Sequence, residues 1–191
     1  MTLIVETGTN VPGAESYVSV ADCAAYATAR GFTFTADAAG EAALRRATAY
    51  IDTTYQSRFP GLRTYRRQQS LEWPRSGAFY PAPQNDVATC YVPSFTGYDA
   101  SIYGIDAIGV NVIPPEIVNA CCLAAVREQE APNSLLPDLE RGGQVLSYRA
   151  GTVQVRYANG ASPNTVFQAI EAALAPLIGR ANGLTARAVR G

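Results

Sequence analysis

Residues 112–130 read VIPPEIVNACCLAAVREQE, and they restrict the possible folds more than any other stretch of the chain. Pro114 and Pro115 suit the first turn of a helix, where a missing N–H costs nothing, and Glu116 complements the positive end of the helix dipole. Ile117, Ala120, Cys121 and Ala124 recur at helical spacing as one apolar stripe, and Val118, Cys122 and Ala125 widen it. A helix apolar over so broad an arc needs cover on two sides. It belongs at the centre of a bundle or ring.

Other helices are legible around it. Ser19 reads as an N-cap, with Asp22 completing an approximate capping box, and Val20, Cys23, Ala24 and Ala27 form a stripe that Gly31 closes. Thr35 or Asp37 opens a longer helix with Leu44, Ala47, Ile51 and Tyr55 on one face, and Pro60 and Gly61 are expected to stop it. Arg45 and Arg46 fall off that stripe. Ser162 and Pro163 are expected to open a last helix carrying Val166, Ile170, Ala173, Leu174 and Leu177 on one face, with Pro176 bending or ending it. Before it, QVLSYRAGTVQVRYANG switches to period two and reads as two strands around Ala150 and Gly151.

These elements predict a mainly α fold in one domain spanning 1–191: a small bundle of about four helices with an added β-hairpin, a long irregular arm over about 76–113 and an extended C-terminal tail over about 179–191. At 191 residues the chain buries roughly 70% of its unfolded surface, enough for a core without staples. The arm includes an expected short strand near residues 108–112. A loop of that length is usually functional.

Charge is segregated along the chain. Arg58, Arg63, Arg66, Arg67 and Arg75 face a single acid, Glu72, within the stretch from 58 to 75. From Ser76 to Pro115 there is no basic residue, and Asp86, Asp99 and Asp106 are the acids. After Gly179 the tail carries Arg180, Arg187 and Arg190 and no acid. Every basic residue is an arginine, which supplies planar, bidentate groups. The net charge is −1, so the whole protein is not an electrostatic partner for nucleic acid or an anionic membrane.

The composition also excludes chemistry. With no histidine, Ser-His-Asp and Cys-His catalysis and every His-ligated metal site are impossible. Cys23, Cys90, Cys121 and Cys122 lack C-x-x-C spacing and read as free packing thiols. RGGQV and PGL lack phosphate-loop spacing, and Asp138 and Glu140 have no partner at motif spacing. No catalytic residue, metal ligand or cofactor is nominated. The start MTLIVETG lacks a basic n-region, and no apolar run approaches membrane-spanning length, so a soluble protein made in a reducing cytoplasm is expected.

Between the second helix and the arm lies LEWPRSG, which holds the chain's only tryptophan. Leu71 and Trp73 sit two apart, so in an extended strap both point one way, with Glu72 and Pro74 on the other side. That pattern predicts Leu71 and Trp73 as a loop anchor on a hydrophobic groove; the competing reading is a base-stacking platform. Two readings of the arginine cluster stay open: a solvated face paired with the acidic arm, or a surface facing DNA or an acidic partner.

The ordered set LIVETGTNVPGAESYVSV, LEWPRSG, VIPPEIVNACCLAAV, LLPDLERGG and VQVRYANG resembles the phage head–tail connector (adaptor) proteins. The branch in question often carries the label "DnaT-like single-stranded-DNA-binding protein". The resemblance runs from about Leu3 to Ile178, and the arm from Ala78 to Asn111 is longer than the family leads one to expect. It implies a non-enzymatic ring, twelvefold, beneath the portal protein at the virion neck and assembled in the host cytoplasm. A stopper or tail completion protein would sit on the other face, and double-stranded DNA would pass through the lumen without sequence specificity, with no membrane involved. The resemblance further implies portal docking through Arg180, Leu184, Arg187, Val189 and Arg190. The basic cluster Arg58, Arg63, Arg66, Arg67 and Arg75 would face a neighbouring subunit or DNA, and Asp86, Asp99 and Asp106 would make arm contacts. The alternative is a single-stranded-DNA-binding replication accessory, which would want a basic groove along the strand.

Overall fold

The computed structural model describes residues 2–80, 106–136, 147–150, 153–156 and 167–178. In chain order the elements are α1 (Val20–Ala29), α2 (Ala38–Tyr55), β1 (Leu62–Arg63), a single 3-10 turn (Arg66–Gln68), β2 (Arg75–Ser76), β3 (Phe79–Tyr80), β4 (Asp106–Ala107), α3 (Pro115–Glu130), β5 (Ser147–Ala150), β6 (Val153–Arg156) and α4 (Gln168–Ile178). Among the described residues it is a mainly helical fold of four helices with a small antiparallel hairpin, β5–β6.

The wide apolar arc of α3 finds its cover. Ile117, Ala120, Cys121, Cys122, Ala124 and Ala125 are fully buried, because α3 packs against α1, α2 and α4 at once. Small side chains at most of those positions let the neighbouring helices approach closely. Each helix contributes its own stripe: Cys23 and Ala27 from α1, Leu44, Ala47, Ile51 and Tyr55 from α2, and Ile170, Leu174 and Leu177 from α4. Full burial of one such leucine or isoleucine stabilises by about 1.5–3 kcal/mol relative to exposure. Polar ties add direction to the α2–α3 contact. Arg46 Nε reaches the buried Glu128 carboxylate at 2.6 Å, and Thr48 Oγ1 lies 3.1 Å from Cys121 Sγ. At the end of α4, the Phe167 ring meets Tyr50 edge-on and carries the Arg127 guanidinium over its face.

The helix starts follow their caps. Ser19 Oγ accepts from the Asp22 N–H, and Asp37 Oδ1 accepts from the Gly40 N–H, so Asp37 rather than Thr35 opens α2. Thr35 instead binds Gln129 near the end of α3, tying the α1–α2 connection to the central helix. Pro114 precedes α3 and Pro115 occupies its first turn.

Two boundaries differ from the sequence expectation. Helix α2 ends at Tyr55, five residues before Pro60, because the Tyr55 carbonyl turns to accept from both Arg58 and Phe59. The strand expected near 108–112 is β4 at Asp106–Ala107, paired antiparallel with β3, while residues 109–112 form a turn closed by Val112 N–H to Gly109 O. Helix α4 is described from Gln168, with Phe167 outside the helix supplying its first acceptor to Glu171, whereas the start expected at Ser162 and Pro163 lies outside the described residues. Val166 lies outside the described residues. The β3–β4 pair brings the two ends of the arm together, and the arm between them, with the tail from 179 onward, also lies outside the described residues.

The N-terminal segment is organised by one acid that periodicity does not reveal. Buried Glu6 accepts from the backbone N–H groups of Thr7, Gly8, Asn10 and Val11, which holds residues 7–11 in a turn. Gly8 has φ +95°, and a Cβ there would meet the Asn111 carbonyl oxygen. Only glycine fits.

Cys23, Cys121 and Cys122 are buried free thiols; Cys90 lies outside the described residues. Burial pushes the Cys121 thiol up to about 12, and Cys122 is raised too, first through its hydrogen bond to Cys23 and then by burial. The thiolate is the reactive form. A disulfide-exchange reagent such as Ellman's should therefore leave these three unlabelled in the folded protein and label all three in denaturant. Rapid native labelling of Cys121 or Cys122 would show that the α3 interface opens.

Candidate functional site

The segment from Arg58 to Tyr80, which holds the tryptophan and the five arginines, is a strap laid on the bundle. Strands β1 and β2 pair antiparallel, Leu62 opposite Ser76 and Arg63 opposite Arg75, and close a loop that carries the 3-10 turn at its tip. Gly61, at φ +71°, lets the strands meet, since a Cβ there would lie 2.5 Å from the Ser76 carbonyl oxygen.

Trp73 is fully buried, with its ring edge-on to Phe59 at a centroid distance of 5.8 Å. Leu71 is buried beside it. Pro74 is fully buried too, across a cis Trp73–Pro74 bond, so the strict alternation expected of an extended strap does not hold. Glu72 alone of the four turns away from the core, toward Arg63 and Arg75.

A hydrogen-bonded chain fixes the strap on the bundle. Tyr17 OH donates to Asp52 Oδ1 at 2.6 Å, Asp52 Oδ2 accepts from the Glu72 N–H at 3.0 Å, and Tyr17 OH accepts from the Trp73 N–H at 3.1 Å. One phenol and one carboxylate thus satisfy two successive backbone donors that would otherwise be stranded under the strap. The Gln69 side chain completes the loop from within. Its Nε2 donates to the Leu71 and Pro74 carbonyls, and its Oε1 accepts from the Tyr65 N–H. Burial is the main cause of a raised Asp52 pKa, to about 6, with the Tyr17 hydrogen bond opposing it. Tyr17 is pushed well above its ordinary value by burial and then by the Asp52 charge.

The five arginines have different fates. Arg75 is buried: its guanidinium donates to the Pro60 and Gly61 carbonyls at 2.8 and 2.7 Å and to Glu72 at 2.7 Å. Arg58 pairs with Glu171 of α4 at 2.9 Å. Arg63 donates to the Gln69 carbonyl and lies 3.6 Å from Glu72, yet its Nε is buried with no acceptor. Arg66 and Arg67 are exposed on the 3-10 turn and have no polar partner among the described residues. The cluster thus divides into three side chains engaged by the fold, Arg58, Arg63 and Arg75, and two exposed ones, Arg66 and Arg67.

Of the acidic candidates, Asp106 begins β4, and Asp86 and Asp99 lie outside the described residues, as do Arg180, Leu184, Arg187, Val189 and Arg190. The sequence reading missed Tyr17, Asp52 and Gln69. Asp52 sits one position past Ile51 at the edge of the α2 stripe, and no local pattern announces that it receives a strap twenty residues away. Among the described residues no three Cys, Asp or Glu side chains gather where they could hold a metal ion, and no helix is long and apolar enough to cross a membrane.

A family model described as "Putative DnaT-like ssDNA binding protein" matches residues 1–94 and 98–191. No curated protein and no solved structure matches the chain.

Two outcomes test the strap. Trp73→Ala should destabilise the fold by about 3–5 kcal/mol, the usual cost of emptying a buried aromatic site. A loss of DNA binding at unchanged thermal stability would instead mark the ring as a stacking platform. Asp52 binds its proton more tightly in the folded chain than in the unfolded one. Its contribution is therefore fully present below about pH 4 and is lost as pH rises through about 6. Urea titrations across that window should show Asp52→Asn flattening this decline, which amounts to about 3 kcal/mol at most. An identical slope in both proteins would show that Asp52 does not titrate there.

Proposed function

We propose that this chain, which belongs to the DnaT-like family, is a non-enzymatic, DNA-contacting structural protein, an adaptor of the phage virion neck. In this reading copies of the chain form a twelvefold ring between the portal and a stopper or tail completion protein, and DNA passes through the ring without sequence-specific contacts. The observation that carries it is the use made of LEWPRSG. Trp73 and Arg75, the side chains best suited to grip an unstacked base and its phosphate, are both spent inside the fold. A single-stranded-DNA binder needs aromatic faces and arginines open along a groove. A ring subunit needs a rigid body with complementary side surfaces. The segregated charge of the sequence, basic over 58–75 and without a basic residue over 76–115, supports such surfaces.

The second reading, a single-stranded-DNA-binding replication accessory, is favoured by the family's description and by the exposed Arg66 and Arg67. Mass and salt dependence separate the two. A high oligomer formed with purified portal supports the adaptor. Tight, salt-sensitive oligonucleotide binding by a monomer that ignores portal supports the accessory.

The tail gives the sharper test. The buried stripe of α4 ends at Leu177, and the residues from 179 onward carry three arginines and no acid. Deleting residues 179–191 should leave a folded subunit that no longer binds portal. Replacing Arg180, Arg187 and Arg190 with glutamine should weaken that binding in a salt-dependent manner, since exposed ion pairs are screened. Portal binding retained by the truncated chain would refute docking through the tail.

A further inference from the structure

Beside the strap, β1, β2 and the 3-10 turn enclose an open cleft of about 500 Å³ whose walls include Arg63, Arg66, Arg75, Glu72 and Leu62. Three guanidinium groups face one carboxylate, so the cleft is positive in a protein that is net negative. The charges are not equivalent. Arg75 is committed to two backbone carbonyls and to Glu72, and forms the fixed floor. Arg63 has a buried Nε without an acceptor, a state that costs free energy unless an oxygen comes to it. Arg66 keeps its whole guanidinium unpaired among the described residues, and its backbone sits at φ +55°, a conformation that non-glycine residues seldom adopt. Strain of that kind persists where surrounding structure imposes it, and it accumulates at binding sites. Arg67 adjoins on the same turn. Leu62, 71% exposed, provides an apolar rim.

We infer that this cleft is an oxyanion site that takes a backbone phosphate of a DNA strand, held between Arg63 and Arg66, with Arg67 reaching the next phosphate and Leu62 lying against the sugar. A carboxylate is already present as Glu72 and is engaged by Arg75 and, at 3.6 Å, by Arg63, so what remains is the whole Arg66 guanidinium beside the part of Arg63 that these contacts leave open. A phosphate, with oxygens directed to several sides, accepts from both at once. The inference rests on the DNA contact shared by the two readings above and assigns that contact to residues.

Fluorescence anisotropy at low salt tests it with the full chain, a labelled oligothymidylate and a duplex of equal length. Arg66→Asn removes the charge while asparagine tolerates the left-handed backbone. It should weaken binding about tenfold and lower the slope of log affinity against log salt by about 0.7 on the single strand or about 0.9 on the duplex. Arg66→Lys, which keeps the charge but loses the planar fork, should fall between. Arg30→Gln removes an exposed charge that stacks on Tyr26 of α1, away from the cleft, and should change nothing. Inorganic phosphate should compete with the oligonucleotide in the unaltered protein and compete less well in Arg66→Asn. Unchanged binding in Arg66→Asn, an equal loss in Arg30→Gln, or no oligonucleotide binding at low salt would each overturn the site. Portal co-assembly, scored on the same variants, reports on the neck reading separately. Assembly retained alongside unchanged oligonucleotide binding removes the site and leaves that reading standing.

Discussion

The structure depends on the need of α3 to be covered on three sides. Its apolar arc is too wide for one neighbour, and its small residues permit close approach by α1, α2 and α4 together. Once that helix is central, the positions of the others follow, because each has a single stripe and can face only inward. The polar ties between Arg46 and Glu128, and between Thr35 and Gln129, sit at the edges of this core. The two differ in weight: Glu128 is buried, so without Arg46 its charge would be left uncompensated, whereas the exposed Thr35–Gln129 bonds contribute modestly.

On that bundle the strap is a second layer held by different means. Its apolar anchors, Leu71, Trp73 and Pro74, would leave backbone donors stranded beneath it unless the bundle supplied acceptors. Tyr17, at the entry to α1, and Asp52, late in α2, supply them, joining two sequence-distant elements to the strap through one short hydrogen bond. Keeping a carboxylate in that position has an electrostatic cost, visible in its raised pKa. The anchoring therefore couples to pH.

The arrangement sorts a run of arginines that looks uniform in sequence. Arg75 is absorbed inside the fold, Arg58 and Arg63 are half-buried in ion pairs, and Arg66 and Arg67 stay exposed beside the cleft. In the virion-neck reading this leaves a stiff subunit with a local DNA contact on one face. The long arm and the basic tail begin at defined places, the β3–β4 pair and the end of α4. The same sorting explains how a protein with net charge −1 can belong to a DNA-associated family: the charge that matters is local.

How much of this was legible in the sequence differs by element. Helical periodicity placed the stripes of α1, α2, α3 and α4, caps at Ser19 and Asp37 placed two of the starts, and period two located the β5–β6 hairpin, because these signals are local. Helix ends were less legible. Pro60 forbids a continuing helix, yet α2 stops at Tyr55, where its carbonyl is drawn into a turn, and the last helix is described only from Gln168, with Phe167 just outside it. By itself the sequence determined which side chains needed burial and which charges ran together. Only the tertiary structure decided that Asp52 meets the strap, that Arg75 lies inside while Arg66 stays outside, and that Arg63 keeps an unpaired donor at a cleft. Those outcomes depend on contacts between residues far apart in the chain, and no local pattern encodes a partner that folding alone brings near.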